Sequence, residues 1–133
     1  NSKNNRSEII RINGKTIILD AYNANPSSME EAIKSFSKFK GKKAIILGDM
    51  YELGKESSKE HKNVIKLCED TPDSKCIFIG EHFYIFSNTK KGSRFFKNKT
   101  DFYNSDLKID ENNILIKGSR GMKMEEILKY IKQ

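Results

Sequence analysis

The chain has 133 residues, of which 36% are apolar and 32% are charged, a balance that predicts one soluble globular domain and leaves no room for a second full domain. The net charge of +7 fits nucleic acid, or an anionic ligand such as a nucleotide. The lysines, however, are spread over nearly every segment, which favours a solvated surface over a nucleic-acid-binding stripe.

Targeting and metal-binding signals are not found in the sequence. No apolar run approaches the about 20 residues that a membrane-spanning helix needs, and there is no signal peptide, so we expect a cytoplasmic chain. Cys68 and Cys76 lack the spacing of a zinc site and the density of a disulfide scaffold, which predicts two reduced, buried cysteines and no metal site. The chain begins with Asn1 rather than methionine, and we expect it to be a piece of a longer protein.

The first ordered element is predicted to be a hairpin over 8–20, after a loose polar stretch at 1–7. The Asn-Gly pair at 13–14 favours a tight turn between two apolar strands. The Gly-Lys-Thr triplet at 14–16 resembles the end of a phosphate-binding loop. Such a loop needs a glycine where Ile9 stands and a helix where a strand is predicted, so we expect no phosphate-binding loop in the chain.

A polar turn at 20–26 joins the second strand to a predicted helix over 26–39. Asp20 can accept hydroxyl hydrogen bonds, as from a ribose, while Asn23 and Asn25 offer donors and acceptors to a base, sugar or phosphate. Ligands of open α/β sheets bind at such junctions, where strand ends and helix amide groups converge. The alternative is that Asn25 caps the helix, with proline at its first position, and that Asn23 is a turn residue.

A short strand buried on both faces is predicted at 44–47, and the loop 48–54 follows it. Strand, helix and strand in this order imply a right-handed parallel crossover. Two glycines of the loop bracket Asp49 and Glu52, which suit a cationic or hydroxylated group. An ordinary turn between a strand and a helix has the same composition, so both interpretations stay open.

A second helix is predicted to begin at Ser57, which forms a capping box with Glu60. His61 lies above the apolar stripe of this helix, where it either packs against the core or belongs to the site. The pattern then predicts a strand at 76–79, a short helix within 81–88, a strand at 94–97, a helix from Thr100 to about Leu107 that Thr100 caps, a strand at 113–116 and a final helix that Ser119 caps.

The loop 117–121 carries Lys117 and Arg120, which form an anion site at a helix start or are two solvated charges. Alternating strands and helices predict an α/β three-layer sandwich, with a mostly parallel, Rossmann-like sheet of about five or six strands and an N-terminal hairpin. Because parallel strands end at the same edge, we expect the loops 20–26, 48–54 and 117–121 to share it.

Three segments in this order resemble the C-terminal domain of the Mur ligases. They are DAYNANPSSM at 20–29, LGDMYELG at 47–54 followed by His61, and LIKGSR at 115–120 followed by Met-Glu at 124–125. Within the family, the likeness is closest to the members that add D-alanyl-D-alanine to UDP-N-acetylmuramoyl-tripeptide. The resemblance covers essentially the whole chain and only the last domain of such a three-domain enzyme.

The resemblance implies an ATP-dependent peptide ligase of peptidoglycan precursor synthesis. In the family, ATP phosphorylates the terminal carboxylate of the UDP-linked peptide, and the amine of the dipeptide then displaces phosphate. The phosphate-binding loop and the Mg²⁺ ligands lie in the central domain, so we expect this chain alone to be inactive and to hold no catalytic residue. The implied partners are UDP-N-acetylmuramoyl-tripeptide, D-alanyl-D-alanine and the protein's own N-terminal and central domains, with no nucleic acid, no membrane and a monomeric state.

The resemblance also implies which side chains face the substrates when the domain closes over ATP and the incoming dipeptide. For the function of the chain, two alternatives stay open: another ligase of the Mur and folylpolyglutamate type, and a basic nucleic-acid-binding module. The nucleotide is expected to contact Arg6, Asp20, Asn23 and Asn25, and the substrates are expected to contact Asp49, Glu52, His61, Lys117, Ser119 and Arg120.

Overall fold

Strands and helices alternate along the chain after an N-terminal hairpin, as the sequence predicts. The structure, a computed structural model, describes residues 7–88 and 92–132; Arg6 and most of the stretch predicted to be loose therefore lie outside the described residues. The strands are β1 (Glu8–Ile12), β2 (Lys15–Asp20), β3 (Lys43–Gly48), β4 (Ser74–Ile79), β5 (Arg94–Phe96) and β6 (Asn113–Lys117). The helices are α1 (Pro26–Ser37), α2 (Ser57–Glu69), α3 (Glu81–Tyr84), α4 (Lys99–Asn104) and α5 (Ile127–Lys132).

The strands form one sheet of six in the order β1-β2-β6-β3-β4-β5. β1 pairs with β2 antiparallel, and the other neighbouring pairs are parallel, which confirms the predicted sheet. Asn13 and Gly14 have φ angles of 51° and 79°, as a tight hairpin turn requires. The Gly-Lys-Thr triplet therefore belongs to the hairpin turn and β2. β6 lies between β2 and β3, so the crossover through α1 joins parallel strands that are not neighbours.

Both faces of the sheet are covered, because the central strands send apolar side chains to two separate cores. Ile45 and Leu47 of β3 pack with α1 and α2 on one face. Ala44 and Ile46 of the same strand pack with α4 and α5 on the other face. Every residue of β3 is buried, as its unbroken apolar run predicts. The fold is therefore the predicted three-layer α/β sandwich.

The predicted capping box of Ser57 and Glu60 is wrong. A 3₁₀ turn over Gly54–Glu56 precedes α2, and its last residue takes the cap position without a side-chain bond. The Ser57 hydroxyl instead lies 3.2 Å and 3.1 Å from the Nδ1 atoms of His61 and His82. The Ser57 side chain therefore contacts two imidazoles and does not cap the helix, as the local pattern predicts it would.

The elements between β4 and β6 exist but have different bounds. α3 occupies only the first half of the segment 81–88, and β5 is the predicted short strand. The prediction that Thr100 caps α4 is wrong, because the Asn98 side chain accepts a hydrogen bond from the backbone N–H of Asp101 at 2.8 Å. Asparagine at this position satisfies an amide of the first turn that a later residue cannot reach.

The final helix is shorter than the sequence predicts. Two 3₁₀ turns, Arg120–Met122 and Met124–Glu126, precede α5, and Lys123 between them has a φ of 51°. Ser119 stands before the first turn but makes no capping bond with its side chain, so the prediction that it caps a helix is wrong. The left-handed residue breaks the helical path, and the apolar spacing of the segment does not reveal it.

Cys68 and Cys76 are buried, and neither is in a disulfide. No helix within 7–88 and 92–132 has the length and apolar character needed to cross a bilayer.

Candidate functional site

The loops that follow β2, β3 and β6 lie side by side at the carboxyl edge of the sheet, as the sequence predicts. We name them the β2 loop (20–26), the β3 loop (48–54) and the β6 loop (117–121). The Ser119 N–H donates to the Asp49 carbonyl at 3.0 Å, and the Tyr51 N–H donates to Ser119 Oγ at 2.8 Å. Lys117 Nζ donates to the Asn23 carbonyl at 2.7 Å. The β6 loop therefore bonds to both of the other loops, and the three form one polar rim.

A buried ion pair joins β2 to β6 at the base of this rim. Asp20 and Lys117 are register partners on neighbouring strands, and Lys117 Nζ donates to Asp20 Oδ2 at 2.8 Å. The Lys117 side chain is 2% exposed and the Asp20 side chain is 15% exposed. Asp20 Oδ1 is buried and accepts no hydrogen bond from any residue in the described ranges. Since a buried acceptor without a donor is costly, a ligand hydroxyl or amide would be stabilised there.

A groove runs beside Asp20 between the hairpin and α1. It encloses about 740 Å³, and its floor includes Ile18, Phe36 and Leu115. Ile9 on the outer strand β1 also lines the groove and is 60% exposed. An apolar groove that ends at a carboxylate suits a flat apolar group carrying hydroxyls.

Asn25 caps α1 in this structure. Its Oδ1 accepts hydrogen bonds from the Ser28 N–H at 2.9 Å and from the Ser27 hydroxyl at 3.1 Å. Ser28 Oγ in turn accepts the Asn25 N–H at 3.0 Å, which completes a reciprocal capping box. The capping alternative thus describes Asn25, while Asn23 is exposed in the β2 loop.

Arg120 and Tyr22 connect the β6 and β2 loops on the solvent side of the rim. The guanidinium carbon of Arg120 lies 5.1 Å from the centroid of the Tyr22 ring, a distance typical of a cation–π contact. Both residues are exposed, and Arg120 forms no ion pair with a carboxylate in the described part of the chain. Its charge is therefore available to an anion that approaches the rim.

Asp49 turns its carboxylate into the protein and caps α3. Its Oδ2 accepts the His82 N–H at 2.9 Å, and its Oδ1 accepts the Phe83 N–H at 3.0 Å. The side chain is 3% exposed. Gly80 is required here, because a Cβ at this position would lie 2.3 Å from Asp49 Oδ1. Asp49 therefore joins the β3 loop to the turn after β4.

His61 is fully buried beneath the β3 loop. Its Nε2 accepts the Met50 N–H at 3.0 Å, and its Nδ1 lies 2.8 Å from the Ser57 carbonyl, which assigns the proton to Nδ1. Burial lowers the pKa of His61, against smaller opposing effects of the Ser57 carbonyl and the Asp49 charge. The neutral ring thus anchors the β3 loop to α2.

A second cleft, of about 400 Å³, lies between the β3 loop and the ends of β4 and β5. Its lining includes Tyr51, His82, Lys97 and Lys99, none of which the sequence analysis proposes for the site. Burial raises the pKa of Tyr51, with further increases from the Asp49 and Glu81 charges. The parallel topology is the signal for these residues, because β4 and β5 end at the same edge as β2, β3 and β6.

The structure thus brings most of the predicted residues to one edge of the sheet. Glu52 is exposed in the β3 loop with a φ of 66°. His61 lies under that loop, and Arg6 is outside the described residues. The rim itself contains Asp20, Asn23, Asn25, Asp49, Glu52, Lys117, Ser119 and Arg120.

Comparison with known proteins identifies the family. A family model described as Mur ligase, glutamate ligase domain, matches residues 5–120. The UDP-N-acetylmuramoyl-tripeptide--D-alanyl-D-alanine ligase of Rickettsia prowazekii is 34% identical over 94% of this chain, and that of Buchnera aphidicola subsp. Baizongia pistaciae is 38% identical over 96%. The chain spans 29% of the length of each of these relatives.

Solved structures show the same fold. A crystal structure of MurF from Acinetobacter baumannii aligns with a TM-score of 0.79 and 25% identity, covering 94% of this chain and 29% of that one. MurF ligase from Thermotoga maritima in complex with ADP aligns with a TM-score of 0.67 at 14% identity, covering 94% of this chain and 30% of that one. These comparisons support the ligase interpretation and not the nucleic-acid-binding alternative. The chain belongs to the Mur ligase family and corresponds to its glutamate ligase domain.

Proposed function

We propose that the chain is the C-terminal domain of a three-domain, ATP-dependent ligase that adds D-alanyl-D-alanine to UDP-N-acetylmuramoyl-tripeptide in the cytoplasm. Two relatives that carry this name match more than nine tenths of the chain at 34% and 38% identity. The observation that carries the proposal is the single rim built by the three loops that resemble the family. Such a rim can face both a nucleotide and an amine acceptor.

On the nucleotide side, Asp20 and Asn23 are proposed to contact ATP, together with Arg6. The unpartnered Oδ1 of Asp20 suits a ribose hydroxyl as its donor. Lys117 holds the Asp20 carboxylate and the β2 loop in place, and Asn25 fixes where that loop enters α1. These two residues would act by shaping the nucleotide side of the site.

On the acceptor side, Arg120 and Glu52 are the exposed charges of the rim. We propose that Arg120 faces the carboxylate that is activated or the carboxylate of the dipeptide, and that Glu52 attracts the dipeptide ammonium. Ser119 and His61 position the β3 loop between these charges. Opposite charges on neighbouring loops would orient a small zwitterion across the rim.

The proposed reaction transfers the terminal phosphoryl group of ATP to the peptide carboxylate and releases ADP. The dipeptide amine then attacks the acyl phosphate, loses a proton and expels phosphate as the amide bond forms. This chain would contribute by orienting the reactants and by excluding water, which would hydrolyse the acyl phosphate. No group of three or more metal-ligating side chains occurs in the described ranges, and we place the Mg²⁺ ligands and the phosphate-binding loop in the central domain.

Kinetics of the intact enzyme with single replacements test this assignment. Asp20→Ala is expected to raise the KM for ATP, because it removes the acceptor for the ribose. Arg120→Ala is expected to lower the rate of ligation with less effect on the KM for ATP. Lys42→Ala is the matched control, since Lys42 lines a groove at the opposite edge of the sheet. Control-like kinetics in both rim variants would contradict the assignment.

A further inference from the structure

We propose that Asp49 is a positioning residue and not a substrate ligand. Its buried carboxylate fixes the turn at 80–83, and this turn forms one wall of the cleft beside Tyr51 and Gly121. The inference rests on the proposed function in one respect, because it takes the amine acceptor to extend from Arg120 and Glu52 on the rim into this neighbouring cleft. It assigns the cleft's shape to a side chain that the acceptor does not touch.

The first argument is that the Asp49 carboxylate is already used by the protein. Each of its oxygens accepts a backbone N–H, from His82 at 2.9 Å and from Phe83 at 3.0 Å. Hydrogen bonds to an ionised acceptor are among the stronger ones in proteins, so these two bonds hold the carboxylate towards the turn. Asp49 is among the residues that line the cleft, but its side chain is only 3% exposed, so the carboxylate presents almost no surface to a ligand.

The second argument is the shape of the turn itself. A Cβ at Gly80 would lie 2.3–2.4 Å from the carboxylate carbon and both oxygens of Asp49. The carboxylate therefore fills the space that a side chain at this position would occupy. The Gly80 N–H donates to the Phe96 carbonyl at 2.8 Å, and the Tyr84 N–H donates to the Gly80 carbonyl at 2.9 Å. The turn is thus held between Asp49 on one side and β5 on the other.

The third argument is that Asp49 is itself fixed from two directions. Its carbonyl accepts the Ser119 N–H at 3.0 Å, which ties it to the β6 loop. The next two amides are also bonded, Met50 to His61 Nε2 at 3.0 Å and Tyr51 to Ser119 Oγ at 2.8 Å. The carboxylate can therefore transmit the position of the rim to the turn after β4.

The turn places two side chains on the cleft. Glu81 and His82 line it together with Lys97 and Lys99. His82 stacks on the buried ring of His61 with a centroid distance of 5.2 Å and an interplanar angle of 18°. Release of the turn from Asp49 would therefore change the width of the cleft and the placement of its charged groups.

Amide hydrogen exchange of the chain tests the structural half of the proposal without any substrate. Asp49→Asn has the same shape, but its amide presents an NH₂ group to one of the two backbone donors. We expect the His82 and Phe83 amides to exchange about tenfold faster in this variant, while the amides of β3 keep wild-type rates. Unchanged exchange at both amides would overturn the proposal.

Ligation kinetics of the intact enzyme test the functional half. Gly80→Ala disturbs the same joint but keeps the Asp49 carboxylate. We expect both Gly80→Ala and Asp49→Asn to raise the KM for D-alanyl-D-alanine about tenfold and to leave the KM for ATP unchanged. A raised KM in Asp49→Asn alone would mean that the acceptor contacts the carboxylate directly, and the positioning role would be wrong.

The two measurements separate the possible failures. If Gly80→Ala does not fold, the exchange rates of the isosteric Asp49→Asn variant decide the question. If the wild-type enzyme does not use D-alanyl-D-alanine, the proposed function fails, while the exchange experiment still tests whether Asp49 holds the turn.

Discussion

Two kinds of polar residue make up the rim at the carboxyl edge of the sheet and the support beneath it. Lys117 and His61 are buried and bonded to protein atoms, so they hold loops in place. Asn23, Glu52 and Arg120 are exposed, so their side chains can meet a ligand directly. Burial thus separates the residues that shape the site from those that would touch what binds there.

Replacing Lys117 by methionine tests the buried ion pair. The change leaves the Asp20 carboxylate without its cation, and we expect the free energy of unfolding to fall by about 3–5 kcal/mol. Urea unfolding of the chain measures this loss. Lys34→Met is the matched control, because Lys34 pairs with Glu30 on the exposed side of α1, where a pair contributes about 0.2–1 kcal/mol. Equal, small losses in both variants would argue against a structural role for the buried pair.

His61 gives the stability of the chain a defined pH dependence. Burial lowers the pKa of His61 in the folded state, so the unfolded chain binds the proton more readily below about pH 6.5. The free energy of unfolding is therefore expected to fall as the pH drops below that value. In His61→Gln this component should disappear, whereas His82→Gln, which removes the other histidine, should keep it. Denaturant unfolding between about pH 5.5 and 7.5 measures the slope, and an unchanged slope in His61→Gln would refute the assignment.

At the scale of elements, the ends of the helices determine how the loops leave the sheet. Asn25 caps α1 immediately after the β2 loop, and the Asp49 carboxylate holds the first turn of α3. Both caps lie at the carboxyl edge, and both come from residues that the sequence analysis assigns to ligands. Some polar residues of the motifs are therefore explained by the local structure that the site requires.

Replacing Asn25 separates capping from nucleotide contact. Asn25→Ala removes the acceptor for the Ser28 N–H, and we expect a loss of about 1 kcal/mol in the free energy of unfolding. Asn25→Ser keeps a capping oxygen, and its free energy of unfolding should lie within roughly 0.5 kcal/mol of the wild-type value. Thermal and urea unfolding of the chain provide the measurement. Equal stability of the alanine and serine variants would show that the cap contributes little.

The fold is predictable from the sequence where apolar runs are long enough to define an element. Residues 44–47 of β3 form an unbroken apolar run that must be covered on both faces, and the Asn-Gly turn at 13–14 fixes the hairpin. The helix start at Ser57 is confirmed, but the capping roles predicted for Ser57 and Thr100 are wrong, because these hydroxyl residues have other partners or a better competitor nearby. Those choices depend on tertiary contacts that a local pattern does not contain.

The site is predictable to the level of its loops but not of its side chains. Parallel topology alone requires the loops after β2, β3 and β6 to meet at one edge. The sequence does not show that Lys117 and Asp49 point into the protein, because a charged residue in a loop is exposed in most cases. It also does not show that Lys97 and His82 lie at the same edge. Lys97 follows a strand of only three residues, and His82 lies in a segment without a recognisable binding motif.

At the scale of the whole molecule, the chain offers surfaces for ligands, and we propose that it does not hold a triphosphate by itself. Its Gly-Lys-Thr triplet lies in a hairpin, and the chain spans 29% of the length of its relatives. The ATP contacts proposed for this domain are those of Arg6, Asp20 and Asn23, with a ribose hydroxyl at Asp20. Tight binding would therefore need the phosphate contacts of the central domain.

We expect the isolated chain to bind ATP weakly or not at all. Calorimetric titration with ATP and Mg²⁺ should give no heat that fits a dissociation constant in the micromolar range. The intact enzyme is the positive control, because it adds the proposed phosphate-binding loop. Micromolar binding by the chain alone would contradict the division of contacts between the domains.

The most direct test of the central claim is the identity of the product that the intact enzyme forms. The enzyme is incubated with ATP, UDP-N-acetylmuramoyl-tripeptide and an equimolar mixture of D-alanyl-D-alanine and single amino acids. The masses of the products are then measured by mass spectrometry. We expect the UDP-linked pentapeptide, formed together with one ADP and one phosphate for each amide bond. A product that carries a single amino acid, or no product while D-alanyl-D-alanine is present, would contradict the account.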